Sequence, residues 1–254
     1  MNIEEYKEKH EFALWVESLS LLVQKKDVGD TVIFSDAHVF HRMVNVLRLR
    51  SGDSCIFFDR EVFIKAAIVA LSGKKQISVI IKEKQQSIAL RPHITFLLPL
   101  LKRDDLESAL YALTEVGVNT IQLISTQKSG NQSFKGDKER INRIVISAAE
   151  QSKNFAYPEI KAPISLQAAL QEYRDITTKL FFDPEGKKFF DVMDSLYHTK
   201  VEHILLLVGP EGDLHEEEKK MIQTHNFIFC ALTPTILRAT QAAALAAGFV
   251  RSLF

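Results

Sequence analysis

The stretch Ile204-Leu-Leu-Leu-Val-Gly-Pro-Glu-Gly-Asp-Leu-His-Glu-Glu-Glu218 sets an unbroken apolar run before Gly209-Pro210-Glu211-Gly212 and an acidic segment after it. The apolar run bounded by a Gly/Pro turn predicts a buried strand, and the charged continuation predicts a helix. In α/β sheets, ligands bind in the crevice outside the carboxyl ends of strands, and glycines there let a ligand lie against bare backbone. An ordinary strand-to-helix turn accounts for the same residues. Pro-Glu-Gly also recurs at Pro184 to Gly186, after Leu180-Phe-Phe-Asp183, so the tripeptide alone does not decide.

Upstream of this stretch, strands and helices alternate from Ile94 onward. Ile94 to Leu100 reads as a buried strand, and Asp104 or Asp105 opens a helix with Leu106, Leu110, Leu113 and Val116 inward, closed by Gly117. Ile121 to Ile124 is a second strand, followed by a polar loop over 126–137 containing Gly130 and Gly136. A helix from about Lys138 to Ser152 turns Ile141, Ile144, Val145, Ala148 and Ala149 to one side and Lys138, Arg140 and Arg143 to the other. A short helix opens at Ser165, a strand covers Lys179 to Phe182, and a helix covers Phe189 to Leu196. Downstream, Asp213 is expected to cap the next helix with Glu216 as its capping-box partner, that helix running to about Asn226. Phe227 to Leu232 is the last strand, and Thr240 is expected to cap an Ala-rich final helix. Such alternation predicts a mostly parallel sheet covered on both faces.

The first third of the chain reads differently. Phe12 to Val16, Thr31 to Phe34, Cys55 to Phe58, Val62 to Ala70 and Gln76 to Ile81 predict short strands joined by turns. Between them, Ser35 or Asp36 caps a helix that shares Phe40, Met43, Val44 and Leu47 on one face and leaves His38, His41, Arg42 and Asn45 on or near the other. His38 and His41 lack a third ligand, so no metal site is expected. The result is a β-rich module over residues 1–84, suited to presenting Arg48, Arg50, Lys74 and Lys75, with a linker over Gln85 to Pro92 and a second domain over 92–254.

At 254 residues, 46% of them hydrophobic and 25% charged, the chain has ample material for two cores. Lys plus Arg and Asp plus Glu balance at 32 each, which argues against a wholly basic nucleic-acid binder. The balance is uneven along the chain, however: Met1 to Ala37 holds four basic and eight acidic residues, while His38 to Lys84 holds nine and four. A solvated face explains this bias, and so does a confined contact with RNA or phosphate. Two distant cysteines, Cys55 and Cys230, exclude a disulfide framework and suit a reducing cytoplasm. The acidic start and the lack of a long apolar run predict neither export nor a membrane span.

Two late loops, Val208-Gly-Pro-Glu-Gly-Asp-Leu214 and Leu232-Thr-Pro-Thr-Ile-Leu-Arg-Ala-Thr-Gln-Ala242, have the order and spacing that carry a family likeness. They resemble the paired C-terminal signatures of SPOUT-class RNA methyltransferases, and within that class the RsmE family, which methylates N3 of a uridine in 16S ribosomal RNA. The likeness extends through His41-Arg-Met-Val-Asn-Val-Leu-Arg-Leu-Arg50 with Gly52-Asp53 and Phe58-Asp59, Lys102, Thr114-Glu-Val-Gly-Val118, Ala149-Glu-Gln-Ser152 and Pro158-Glu-Ile160. It implies a PUA-like β-barrel followed by a SPOUT α/β domain whose mostly parallel sheet ends in a trefoil knot, an exception to the rule against threaded connections. It also implies S-adenosyl-L-methionine as cofactor, a homodimer, 16S rRNA or the small ribosomal subunit as partner, and no metal.

Carried over to this chain, Leu207, Gly209, Pro210, Glu211 and Gly212 form one wall of the cofactor pocket. Leu232, Pro234, Ile236 and Leu237 form the other. Arg238 is the catalytic candidate, stabilising charge on the reacting base, with a phosphate or helix-end contact as the competing role. His41, Arg42, Arg48, Arg50, Lys102, Arg103 and Lys128 are the candidates for RNA contact.

The chain departs from the family pattern at Asp213, where glycine is usual, and at Thr233 and Thr235, which replace a glycine and an arginine flanking Pro234. Thr240-Gln241 replaces Glu-Thr, Lys153-Asn-Phe-Ala156 replaces a Gly-Arg segment, and Ala112 replaces a lysine. These departures leave two further readings open: a non-catalytic RNA-binding relative, or a SPOUT methyltransferase with another RNA target.

Overall fold

The computed structural model describes residues 11–72, 75–129, 138–197 and 200–254. Lys74, Gly130, Gly136 and the segment Met1 to His10 lie outside the described residues. The chain divides into two compact units, one ending at Ile88 and the other running from Ala89 to Phe254.

The first unit is a five-stranded sheet of β1 (Ala13–Trp15), β2 (Thr31–Ser35), β3 (Ser54–Phe58), β4 (Val62–Ser72) and β5 (Gln76–Gln86), in the order β1-β3-β4-β5-β2. Alternation in β4 sends Val62, Ile64, Ala66 and Ile68 into a core with Leu14, Phe34, Phe57 and Met43. β5 runs on through Gln86, so Gln85 and Gln86 belong to the sheet and not to a linker, because both pair with β4 residues Phe63 and Val62. A short helix α1 (Leu19–Leu22), absent from the sequence expectation, precedes β2.

Asp36 caps α2 (Ala37–His41) by accepting from the backbone N–H of His38 at 2.8 Å and of Val39 at 2.9 Å. The helix then widens into a π turn over Arg42–Val46, with Leu47 N–H donating to the Arg42 carbonyl at 2.9 Å. This widening, followed by Arg48 at φ 55°, leaves His41, Arg48 and Arg50 exposed and Arg42 half-buried, while Met43 stays in the core.

The second unit is an all-parallel six-stranded sheet. Its strands are β6 (His93–Pro99), β7 (Thr120–Ser125), β8 (Glu159–Ser165), β9 (Thr178–Lys188), β10 (His203–Val208) and β11 (Ile228–Ala231), in the order β11-β9-β10-β6-β7-β8. β10 is the predicted buried strand, with neighbours on both edges. Its alternation is decisive for the site: Ile204, Leu206 and Val208 enter one core, and Leu205 and Leu207 the other. The first core is covered by α3 (Arg103–Glu115), α4 (Lys138–Ser152), α6 (Phe189–Tyr197) and α8 (Ala239–Arg251), and the second by α5 (Leu166–Glu172) and α7 (Glu216–Thr224). Gly117, at φ 85°, ends α3 as expected. The insertion of β10 between β9 and β6, with β11 outside β9, is compatible with the knotted crossing implied by the resemblance.

Several local expectations are corrected. α3 starts after Lys102 and not at Asp104 or Asp105, which lie in its first turn. The helix after the Gly-Pro-Glu-Gly turn starts at Glu216, so Asp213 does not cap it with Glu216. Instead Glu218 accepts from the His215 N–H at 2.9 Å through one oxygen and from the Gln127 N–H at 2.9 Å through the other. Thr240 lies inside the first turn of α8, whose N-cap is Arg238.

The second Pro-Glu-Gly is neither a strand-to-helix turn nor a copy of the first. It sits within β9, where the pairing with β11 jumps from Phe181–Phe229 to Lys187–Cys230, so the intervening residues bulge out of register. Gly186 closes that bulge against bare backbone: a Cβ there would lie 2.5 Å from both Cys230 N and Phe229 C. Gly186→Ala is therefore expected to cost about 1–3 kcal/mol through overpacking that no side chain can relieve, measured as a lowered urea midpoint of the second unit.

Candidate functional site

The turn after β10 and the loop after β11 meet at the carboxyl edge of the sheet around a cavity of about 840 Å³. On one side lie Val208, Gly209, Pro210, Glu211, Gly212 and Asp213; on the other lie Leu232, Thr233, Thr235, Ile236, Leu237 and Arg238. The bulge in β9 adds Phe182, Asp183 and Pro184, and the start of α3 adds Lys102 and Asp105. The volume falls in the ~300–1,000 Å³ range of small-molecule sites.

Most of the predicted pocket residues are thus brought together. Leu207 is an exception, since strand alternation turns its side chain into the core beneath α5 and α7, and Val208 takes the wall position. Pro234 is exposed and does not line the cavity, while Ile236, which does, is 86% exposed. Thr233 and Thr235, standing where the family pattern has glycine and arginine, brace the loop: Thr233 Oγ1 donates to the Thr235 carbonyl at 2.7 Å.

Gly209 and Gly212 each leave room for a methyl group at ordinary contact distance. A Cβ on Gly209 would come no nearer than 3.5 Å to Asp213 Oδ1, and one on Gly212 no nearer than 3.7 Å to Lys128. Neither glycine has the left-handed backbone that would require it, whereas Asp213, at φ 59°, does adopt that conformation. Neither backbone conformation nor close packing therefore requires glycine at these two positions.

Arg238 is exposed, lines the cavity and forms no ion pair with the described residues. As the N-cap of α8 it stands beside backbone N–H groups that lack helical partners, so guanidinium and helix end present positive potential to the same space. Lys102, exposed at the rim, lies 3.7 Å from Glu211 across the opening. Arg103 is exposed and pairs with Glu107 at 3.2 Å, and the stem of Lys128 lies beside Gly212. His41, Arg42, Arg48 and Arg50 are gathered on the α2-to-β3 segment of the first unit.

Among the residues that motif spacing does not single out are two acidic groups on the lining, Asp105 and Asp183, and a lysine behind it, Lys219. Lys219 Nζ lies 2.8 Å from Asp183 Oδ2 and 2.9 Å from Asp213 Oδ2. Burial pulls the pKa of Lys219 down, but the attraction of the two carboxylates outweighs it and holds the ammonium above its usual range, although Asp183 Oδ2 meets the lysine as an ion pair without hydrogen-bond geometry. The only signal in the sequence was the position of Asp183 directly before the second Pro-Glu-Gly.

Comparison with known proteins supplies the family. Residues 89–251 match the RNA methyltransferase domain family, and residues 35–82 match the RNA methyltransferase PUA domain. The chain belongs to the RNA methyltransferase family. Within that family, it is 29% identical over 232 residues to ribosomal RNA small subunit methyltransferase E of Bacillus subtilis, covering 86% of this chain and 89% of that one. The corresponding protein of Rickettsia conorii is 28% identical over 220 residues, covering 86% and 88%. The fold is shared with ribosomal RNA small subunit methyltransferase E from Neisseria gonorrhoeae bound to S-adenosyl methionine, with TM-score 0.81 and 24% identity, covering 96% and 98%. No described helix is long and apolar enough to cross a membrane.

Because a methyl group fits at Gly209, Gly209→Ala is expected to leave the unfolding free energy within about 1 kcal/mol of the parent, measured by urea denaturation. Ligand binding lost without stability would mark the turn as ligand-facing.

Proposed function

We propose that this member of the RNA methyltransferase family transfers a methyl group from S-adenosylmethionine to N3 of a uridine in 16S rRNA of the small ribosomal subunit, as a cytoplasmic homodimer. The reading rests chiefly on the meeting of the two loops around one cavity with Arg238 on its wall. The names of the relatives give it the small-subunit RNA as target class.

The residues present fit the cofactor. The turn from Gly209 to Gly212 offers bare backbone, and Leu232, Ile236 and Leu237 offer an apolar face to an adenine ring. Glu211, Asp183 and Asp213 give the cavity an acidic side toward a ligand carrying an ammonium and a sulfonium. When bound, the cofactor supplies a methyl group already activated by its positive sulfur.

What remains for the protein is alignment and charge. Holding N3, the methyl acceptor, in a fixed orientation lowers the entropic part of the barrier. As N3 gives up its proton to solvent, negative charge develops on the uracil ring, and Arg238 with the amino end of α8 stabilises it. Lys102 at the rim, Lys128 beside Gly212, and the basic segment from His41 to Arg50 supply backbone-phosphate contacts that hold the RNA without reading bases.

The test is methyl transfer from labelled S-adenosylmethionine to small subunits of a strain lacking the modification, followed by nucleoside analysis. N3-methyluridine is the expected product; a different methylated nucleoside, or none, overturns the proposal. Arg238→Ala is expected to lower turnover about 10²-fold with little change in cofactor affinity by calorimetry. Equal loss of both would assign Arg238 to the pocket.

A further inference from the structure

The cluster formed by Asp183, Lys219 and Asp213 joins three elements distant in the chain. Asp183 belongs to the bulge in β9, Asp213 ends the turn after β10, and Lys219 lies on α7. Both carboxylates line the cavity, while the ammonium between them does not. Side-chain exposure falls from 57% at Asp213 to 16% at Lys219 and 3% at Asp183, so the outermost member is tied to a buried anchor.

Each carboxylate is also fixed by backbone. Asp183 Oδ1 accepts from the Glu185 N–H at 2.8 Å, and Asp213 Oδ1 accepts from the Leu214 N–H at 2.7 Å. The remaining oxygen of each is the one that meets Lys219. Asp213 holds φ 59°, which aspartate tolerates and glycine adopts freely. Glycine here would keep the path of the chain and lose the tether.

We infer that Lys219 is a positioning residue that clamps the turn after β10 to the bulge of β9 and sets the width of the cofactor cavity, with Asp213 as the arm of the clamp. This inference rests on the proposed cofactor site for its ligand, but the clamp itself is a property of the ligand-free protein. Ion pairs at exposed sites contribute little. Here the lysine is mostly enclosed and shared by two oriented carboxylates, so its loss acts on the geometry of the turn more than on global stability.

Asp213→Gly removes the arm without burying an unpaired charge, because Lys219 keeps Asp183. Two readouts follow. In the ligand-free protein, backbone amides over 209–214 should exchange hydrogen at least about tenfold faster in the variant, with the melting temperature unchanged; about 1.4 kcal/mol of local stability corresponds to that factor. In titrations with S-adenosylmethionine, Kd and KM for the cofactor should rise about tenfold while kcat at saturation changes by less than about twofold. Asp213→Asn, which keeps size and backbone preference but loses charge, should fall between the parent and Asp213→Gly. Unchanged exchange in Asp213→Gly overturns the clamp, whatever the ligand. Faster exchange with unchanged Kd overturns its role in positioning. Failure of the parent protein to bind S-adenosylmethionine would instead sink the proposed function, and the exchange measurement would still decide the clamp.

Discussion

Pairing of β10 with β9 on one edge and β6 on the other is the interaction on which the rest of the second unit depends. It fills both faces of the sheet at once, because an apolar residue at every position from Ile204 to Val208 serves two cores in alternation. It also leaves the following turn at the carboxyl edge of the sheet, where the loop after β11 arrives from the far side of β9. Neither loop encloses space by itself. The cavity exists because strand order brings both loops to the same edge on either side of the β9 bulge.

Around that cavity, backbone shape and side-chain charge have different origins. The bare backbone at Gly209 and Gly212, the Thr233–Thr235 brace and the helix end at Arg238 come from local chain conformation. The charge arrangement comes from distant segments: Lys102 from the start of α3, Asp183 from the β9 bulge and Lys219 from α7. Asp213 belongs to both sets. It takes the left-handed position that the family pattern gives to glycine and turns it into an attachment point.

The two Pro-Glu-Gly segments differ for a physical reason. The first is followed by residues free to begin a helix, so it turns. The second lies between two stretches that pair with the same strand, so it bulges, and its glycine is demanded by the β11 backbone at 2.5 Å and not by any ligand. Identical tripeptides thus carry opposite meanings, and the residues flanking each do not disclose which. Leu207 illustrates the same limit at single-residue scale: its neighbour Val208 faces the cavity because a strand alternates sides, and which side holds the cavity depends on where α8 packs.

By itself the sequence determined the strand-helix alternation, the β-rich first unit, the buried character of β10, the helical face of α4 and the two loops that carry the family likeness. These are properties of periodicity, turn chemistry and motif spacing, which act over a few residues to a few tens. Tertiary structure alone decided that the two loops share one cavity and that Leu207 faces away from it. It also made Pro184 to Gly186 a bulge, and joined Asp183, Lys219 and Asp213 through one ammonium. Each of these depends on strand order and on contacts between segments far apart in the chain, for which a single sequence carries no local signature.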